Sequence, residues 1–234
     1  MAQFTLTSDN DPFLHVSLRR GESITCESNS MVMMEANLEL AGEMNGGFLN
    51  AMVRSFANDE SFFQQRITAS HGDGDCLLAP VMPGGMEILE VGEVQYKLSD
   101  GAFVASTDGV DMELQRQSLG TALFGGTGGF VIAQTRGRGQ LAVSGFGTLF
   151  TIEVSPGTPM TIDNGHVVAW DSRLNYELSL STKRSAGMLS NLVNSFTGGE
   201  GVVLKFSGSG KVVLCSRNQS GFVNWLKSFV TPSN

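Results

Sequence analysis

Apolar and polar positions alternate along the chain from its first residues. Phe4 and Leu6 are spaced by two, as are Ile24 and Cys26 after the polar turn at 19–22. That period predicts β-strands with one buried face. The run Met31, Val32, Met33, Met34 leads to Leu38 and Leu40, which alternate with Asn37 and Glu39. The same offsets return twice more. Val32 precedes Leu38 and Leu40, Val104 precedes Val110 and Met112, and Val168 precedes Leu174 and Tyr176, by six and eight residues in each case. A turn glycine, Gly21, Gly92 or Gly157, stands ten, eleven and ten residues before Met31, Phe103 and Val167. The middle copy therefore carries one extra residue, as a β-bulge would supply.

A second pattern follows each alternating stretch. Leu49, Met52, Val53 and Phe56 lie at i, i+3, i+4 and i+7, and Leu189, Leu192, Val193 and Phe196 repeat that spacing. Both read as amphipathic helices over 46–56 and 186–196. The middle copy has only Leu119, Leu123 and Phe124 among glycines, so its helix is short or absent. Six residues after Phe56, Phe124 and Phe196 come the pairs Phe62 and Phe63, Phe130 and Val131, Val202 and Val203. Each pair leads to a Gly-x-Gly at 72–74, 137–139 or 208–210. Strand, glycine turn and returning strand predict a hairpin in triplicate. The tail, with Phe222, Val223, Trp225, Leu226, Phe229 and Val230, predicts a helix packed as a C-terminal cap.

These matched offsets divide the chain into β repeats at 1–88, 89–153 and 154–218, followed by a helix at 219–234. No Pro- or Ser-rich linker or charged run separates them, so the expectation is one compact body. Composition agrees with an all-β class. In 234 residues there are 29 glycines against 6 prolines, which suits many tight turns.

Charge narrows the functions. The net charge of −8 argues against non-specific nucleic-acid binding, which needs lysine and arginine to neutralise phosphate. No stretch approaches the roughly 20 apolar residues of a membrane span, and no basic region followed by an apolar run opens the chain. A cytoplasmic protein is expected. Cys26, Cys76 and Cys215 are an odd number without Cys-x-x-Cys spacing, so they read as buried free thiols.

Several ordered motifs carry a resemblance. They are Asp59, Glu60, Ser61, Phe62, Phe63; then Leu77, Leu78, Ala79, Pro80; then 101–106, Gly-Ala-Phe-Val-Ala-Ser; then 165–170, Gly-His-Val-Val-Ala-Trp; then the run 196–214. Across roughly residues 14 to 218 the chain resembles the altered-inheritance-of-mitochondria (twenty-four) family, whose members have no agreed biochemical activity. The resemblance implies a fold like that of the tryptophan RNA-binding attenuation protein (TRAP). That is a short double-stranded β-helix sandwich, here in three tandem copies with short helical insertions. It also implies a homotrimer, a pseudo-ninefold ring. One departure is Gly128, which stands where the other copies have Glu60 and Glu200.

Residue types do not support the chemistry that such a sandwich can carry. His15, His71 and His166 fall in different copies without His-x-His spacing, so no metal and no cofactor is expected. The serines at 207 and 209 lack the Gly-x-Ser-x-Gly elbow. The glycines at 125–129 lead into the strand 130–132, whereas a phosphate loop opens a helix. No enzyme is expected. Arg136 and Arg138, with Lys205 and Lys211, offer cations at matching places in two copies, but the first copy has Asp73 and Asp75 there. The reading is a non-catalytic ring-forming scaffold or interaction protein; the alternative is a small-ligand or RNA-binding module using inter-repeat clefts or the ring edge. The candidate interaction face is the pair of stripes, Leu49, Met52, Val53, Phe56 and Leu189, Leu192, Val193, Phe196. Either they cap the sandwich ends or they dock a protein partner. Their polar faces, with Asn50, Arg54, Asn191 and Asn194, are too poor in cations to favour a membrane surface.

Overall fold

The computed structural model describes residues 1–8, 10–42, 64–117, 130–180 and 202–230. Among them are nineteen strands and one α-helix, so the described residues are mostly β-sheet with a single C-terminal helix. Both predicted helical stripes, Leu49, Met52, Val53, Phe56 and Leu189, Leu192, Val193, Phe196, lie outside the described residues.

Strand β1 (Gln3–Leu6) precedes three sets of six. The first set is β2 (Leu14–Leu18), β3 (Ser23–Glu27), β4 (Met31–Met34), β5 (Glu39–Gly42), β6 (Gln64–Thr68) and β7 (Gly74–Leu78). The second is β8 (Gly84–Val91), β9 (Tyr96–Leu98), β10 (Phe103–Thr107), β11 (Val110–Gln117), β12 (Phe130–Gly137) and β13 (Gly139–Phe146). The third is β14 (Leu149–Val154), β15 (Met160–Asp163), β16 (Val167–Asp171), β17 (Asn175–Leu180), β18 (Val202–Ser207) and β19 (Gly210–Cys215). Helix α1 (Gln219–Val230) ends the described chain.

Strand order recurs with the sets. The sheets run β1-β2-β7-β4, β5-β6-β3-β10-β13-β8, β11-β12-β9-β16-β19-β14 and β15-β18-β17. In each set the first, sixth and third strands are neighbours, and so are the second, fifth and fourth. The register of the third strand against the sixth is also shared. Met31 pairs with Leu78 and Met33 with Leu77, Phe103 with Val143 and Ala105 with Ala142, Val167 with Leu214 and Ala169 with Val213. Each ladder slips by one residue, and the residues passed over are Val32, Val104 and Val168. The same irregularity thus falls on all three valines that anchored the offsets, and a slip common to the three copies does not account for the extra residue read between Gly92 and Phe103 of the middle one. Six residues on, Leu38, Val110 and Leu174 are all buried.

The expected hairpins are corrected. The strands flanking each Gly-x-Gly do not share a sheet: β6 and β7, β12 and β13, β18 and β19 each belong to two different ones. The glycines turn a corner between sheets, where the chain needs positive φ (94° at Gly137, 109° at Gly208) but makes no two-stranded ladder. Alternation along both flanking strands looks the same in either arrangement, so the pattern could not separate them.

Two compact units divide the contacts. One comprises Met1–Glu93, Phe103–Asp111 and Arg136–Ser144, and the other Val94–Ala102, Met112–Thr135 and Gly145–Asn234. The core of the first packs β2 and β7 (Leu14, Val16, Leu78) against β3 and β6 (Ile24, Ile67), with Val104 and Ala142 alongside. In the second, Trp170, Val212 and Val154 meet Leu204 and Phe206. There the Trp170 ring makes edge contacts with Tyr176 at 5.5 Å and with Phe206 at 5.7 Å. Rings stacked this way add to the area they bury.

The tail departs from its expected role as a packed cap. Helix α1 has no buried residue. Phe222 packs on Phe146 of β13 with ring centroids 5.1 Å apart, and the remaining apolar residues stand exposed.

Candidate functional site

Among the described residues, the histidines do not converge with one another. His15 sits between the Thr5 hydroxyl (3.3 Å) and Asp75 (3.1 Å), His71 bonds Glu39 at 2.8 Å, and the His166 ring N–H donates to the Cys215 carbonyl at 2.8 Å. Each is occupied locally on a different strand or turn. No cluster of three or more metal-ligating side chains occurs among the described residues. Cys26, Cys76 and Cys215 are free and buried. Burial pushes the Cys26 thiol up to about 11 and the Cys76 thiol up to about 12, which keeps them protonated and poor nucleophiles. Of the four cations at matching places in two copies, Lys205 lies across from Glu177 and Lys211 across from Glu153 in the ladders. A phosphate backbone would compete with those acids.

What the strand order does leave is a pair of open edges. The second strand of one set pairs with the third strand of the next: β3 with β10, through Cys26 opposite Ala105, and β9 with β16, through Leu98 opposite Ala169. Two strands in these roles have no such neighbour among the described residues. They are β4, the third strand of the first set, and β15, the second strand of the third set, each at the end of its sheet.

Exposure follows this pairing. Val104 and Val168, on strands that have the neighbour, are 0% and 3% exposed, whereas Val32 on β4 is 53% exposed. Met33 is likewise exposed where Ala105 and Ala169 are buried. On the opposing side Cys26 and Leu98 are buried while Ile162 of β15 is half-buried. Aligning the ladders on their shared register brings Ile162 to the position of Cys26 and Leu98, and Met33 to that of Ala105 and Ala169. Unpaired N–H and C=O groups with apolar side chains on such an edge are a template for another strand.

Sequence reasoning read Met31, Val32, Met33 and Met34 as one more apolar strand and missed that it lacks a predecessor. The signal was present in the offsets. The first copy in a series whose strands pair forward must leave one edge unmatched, and the last copy must leave the other.

The comparisons agree in extent with this three-set body. A family model described as mitochondrial biogenesis AIM24 matches residues 4–217. An uncharacterized protein of Streptococcus pyogenes serotype M6 is 37% identical over 229 residues, covering 95% of this chain and 88% of the relative. An X-ray crystal structure of a Streptococcus pyogenes protein is similar with a TM-score of 0.78 at 34% identity, covering 98% of this chain and all of that one. The chain belongs to the mitochondrial biogenesis AIM24 family.

Proposed function

We propose that the chain is a non-catalytic scaffold that closes into a ring through its open strand edges. Each six-strand set is one TRAP-like double-stranded β-helix repeat, and β15 of one copy adds beside β4 of the next as β3 adds beside β10. Three copies then close a homotrimer of nine repeats in the cytoplasm, and the ring presents a surface to a protein partner. The observation that carries this reading is the exposure of Val32 beside the burial of Val104 and Val168. Continuing the internal register sets Ile162 opposite Met33 and Thr161 opposite Met34 of the neighbouring copy, where side chains approach to about 5 Å. Heterologous contacts of this kind generate closed rings when the rotation per copy divides a full turn.

Light scattering of the full chain at micromolar concentration tests the assembly, and a trimeric mass is expected. A cysteine pair tests the register. Met34→Cys combined with Thr161→Cys should give a ladder of disulfide-linked chains ending at three, since paired strands lie within disulfide reach. A monomer in light scattering, or a trimer in which this pair never crosslinks, overturns the edge-to-edge reading.

A further inference from the structure

Strand β1 stands outside the three sets, and the edge it covers recurs without it. In set one β1 lies antiparallel beside β2, the first strand of the set, with Phe4 opposite Val16 and Leu6 opposite Leu14. In set three the first strand is β14, which ends its sheet and has no such neighbour among the described residues. The shared ladders align the two strands. Leu78 and Leu214 pair with Met31 and Val167 where the slip begins, and across from them stand Leu14 and Phe150. Two residues on, Val16 corresponds to Ile152. Leu14 and Val16 are both 0% exposed, whereas Phe150 is 69% exposed and Ile152 half-buried. The first strand of set two, β8, also ends its sheet. There, however, Met86, Leu89 and Val91 are buried and Glu87 and Glu90 stand along the strand, a charged edge that discourages pairing.

We infer that the outer edge of β14 binds an extended segment of another protein, added as an antiparallel strand with two large apolar residues at alternate positions. β1 is the template for that segment. Its Phe4 and Leu6 are spaced by two and so share a face, and aligning β2 with β14 brings them opposite Ile152 and Phe150. In such additions main-chain hydrogen bonds give affinity and the places for alternate side chains give selectivity. A charge at either apolar place would have to be buried, which excludes acidic and basic residues there. The place opposite Glu153 falls to Gln3 of the template, so a neutral or basic side chain suits it. Each chain's β1 is already committed to its own β2, so the segment comes from a different protein. The ring proposed above uses β4 and β15, and this inference does not depend on its closure.

The test uses the full chain and a fluorescent peptide of sequence Ala-Gln-Phe-Thr-Leu-Thr, that of residues 2–7. Saturable binding in fluorescence anisotropy is expected at or below about 1 mM, and the same peptide with serine at both apolar places should not bind. Phe150→Lys should weaken binding by about tenfold or more, at an unchanged melting temperature because the side chain is mostly exposed. A photoreactive benzoylphenylalanine in place of the peptide's phenylalanine should crosslink to β14. The inference falls if no saturable binding is seen up to about 1 mM, or if the Phe150→Lys chain binds the peptide as the wild type does. It falls equally if the crosslink lands on β2, where the peptide would merely have displaced β1. Light scattering that showed Phe150→Lys lowering the mass of the assembly would overturn it as well, since β14 would then be a seam between copies.

Discussion

A β-carbon placed on Gly137 would stand 2.2 Å from the carbonyl oxygen of Gly109. The contact is reciprocal, because a β-carbon on Gly109 would meet the Arg138 carbonyl at 2.3 Å while the Arg138 N–H donates to Gly109 at 2.8 Å. Two chain turns thus touch backbone to backbone, and Gly137 also holds φ at 94°. Gly137→Ala adds left-handed strain to an atomic overlap that no rotamer relieves, for a loss of roughly 2–5 kcal/mol. Gly101 has φ of 72° but open space around its Cα, so Gly101→Ala carries the strain alone, about 1–2 kcal/mol. Urea unfolding of both variants should rank them in that order.

Buried thiols give a chemical prediction. With Cys26 raised to about 11 and Cys76 to about 12, chiefly by burial, the native chain at pH 8 should react with an aromatic disulfide reagent only as fast as it opens. Denatured chain should titrate all three thiols at once. Because these folded values lie above the unfolded ones, their contribution to stability is complete below the usual thiol range, about 8.5, and is lost as pH rises toward 11. A native chain labelled within seconds at pH 8 would contradict this.

The Glu39 carboxylate titrates at the other end. It is held below its usual range first by the Ser70 hydroxyl and then by the His71 ring, which bond its two oxygens at 2.8 Å each. A depressed carboxylate supplies stability above its unfolded value and loses it as pH falls through the folded one. Glu39→Gln should therefore flatten the acid limb of a melting-temperature profile and leave the neutral region almost unchanged. The pair is exposed, so the neutral-pH effect is small.

Much of the fold was legible because side-chain period and offset are local. Val32, Val104 and Val168 announced three equivalent strands, and the shared ladder slip at those residues is the physical reason the offsets matched. Which sheet a strand joins is not local. The chain around Gly72, Gly137 and Gly208 alternates as a hairpin would, yet each corner delivers its second strand to another sheet, and nothing in the alternation encodes that choice. The tail failed differently. Its stripe correctly marked a helix, but amphipathicity gives an apolar face without saying whether protein covers it.

The open edges give the last prediction. A lysine facing along an edge strand blocks pairing, because the incoming strand would have to bury its charge. Met33→Lys should stop β4 from accepting a neighbour while leaving β15 of the same chain free to pair. Ile162→Lys does the reverse, and Ile162 is only half-buried, so each variant should fold. Alone, either variant has one usable edge of one kind and nothing complementary to meet, and should sediment as a monomer. Mixed in equal amounts they carry one intact β15 and one intact β4, which make a single junction. A one-to-one dimer that grows no further is the outcome a head-to-tail assembly requires, and it separates that assembly from a two-fold symmetric one. If either lysine variant alone still forms trimers, the edges are not the joints.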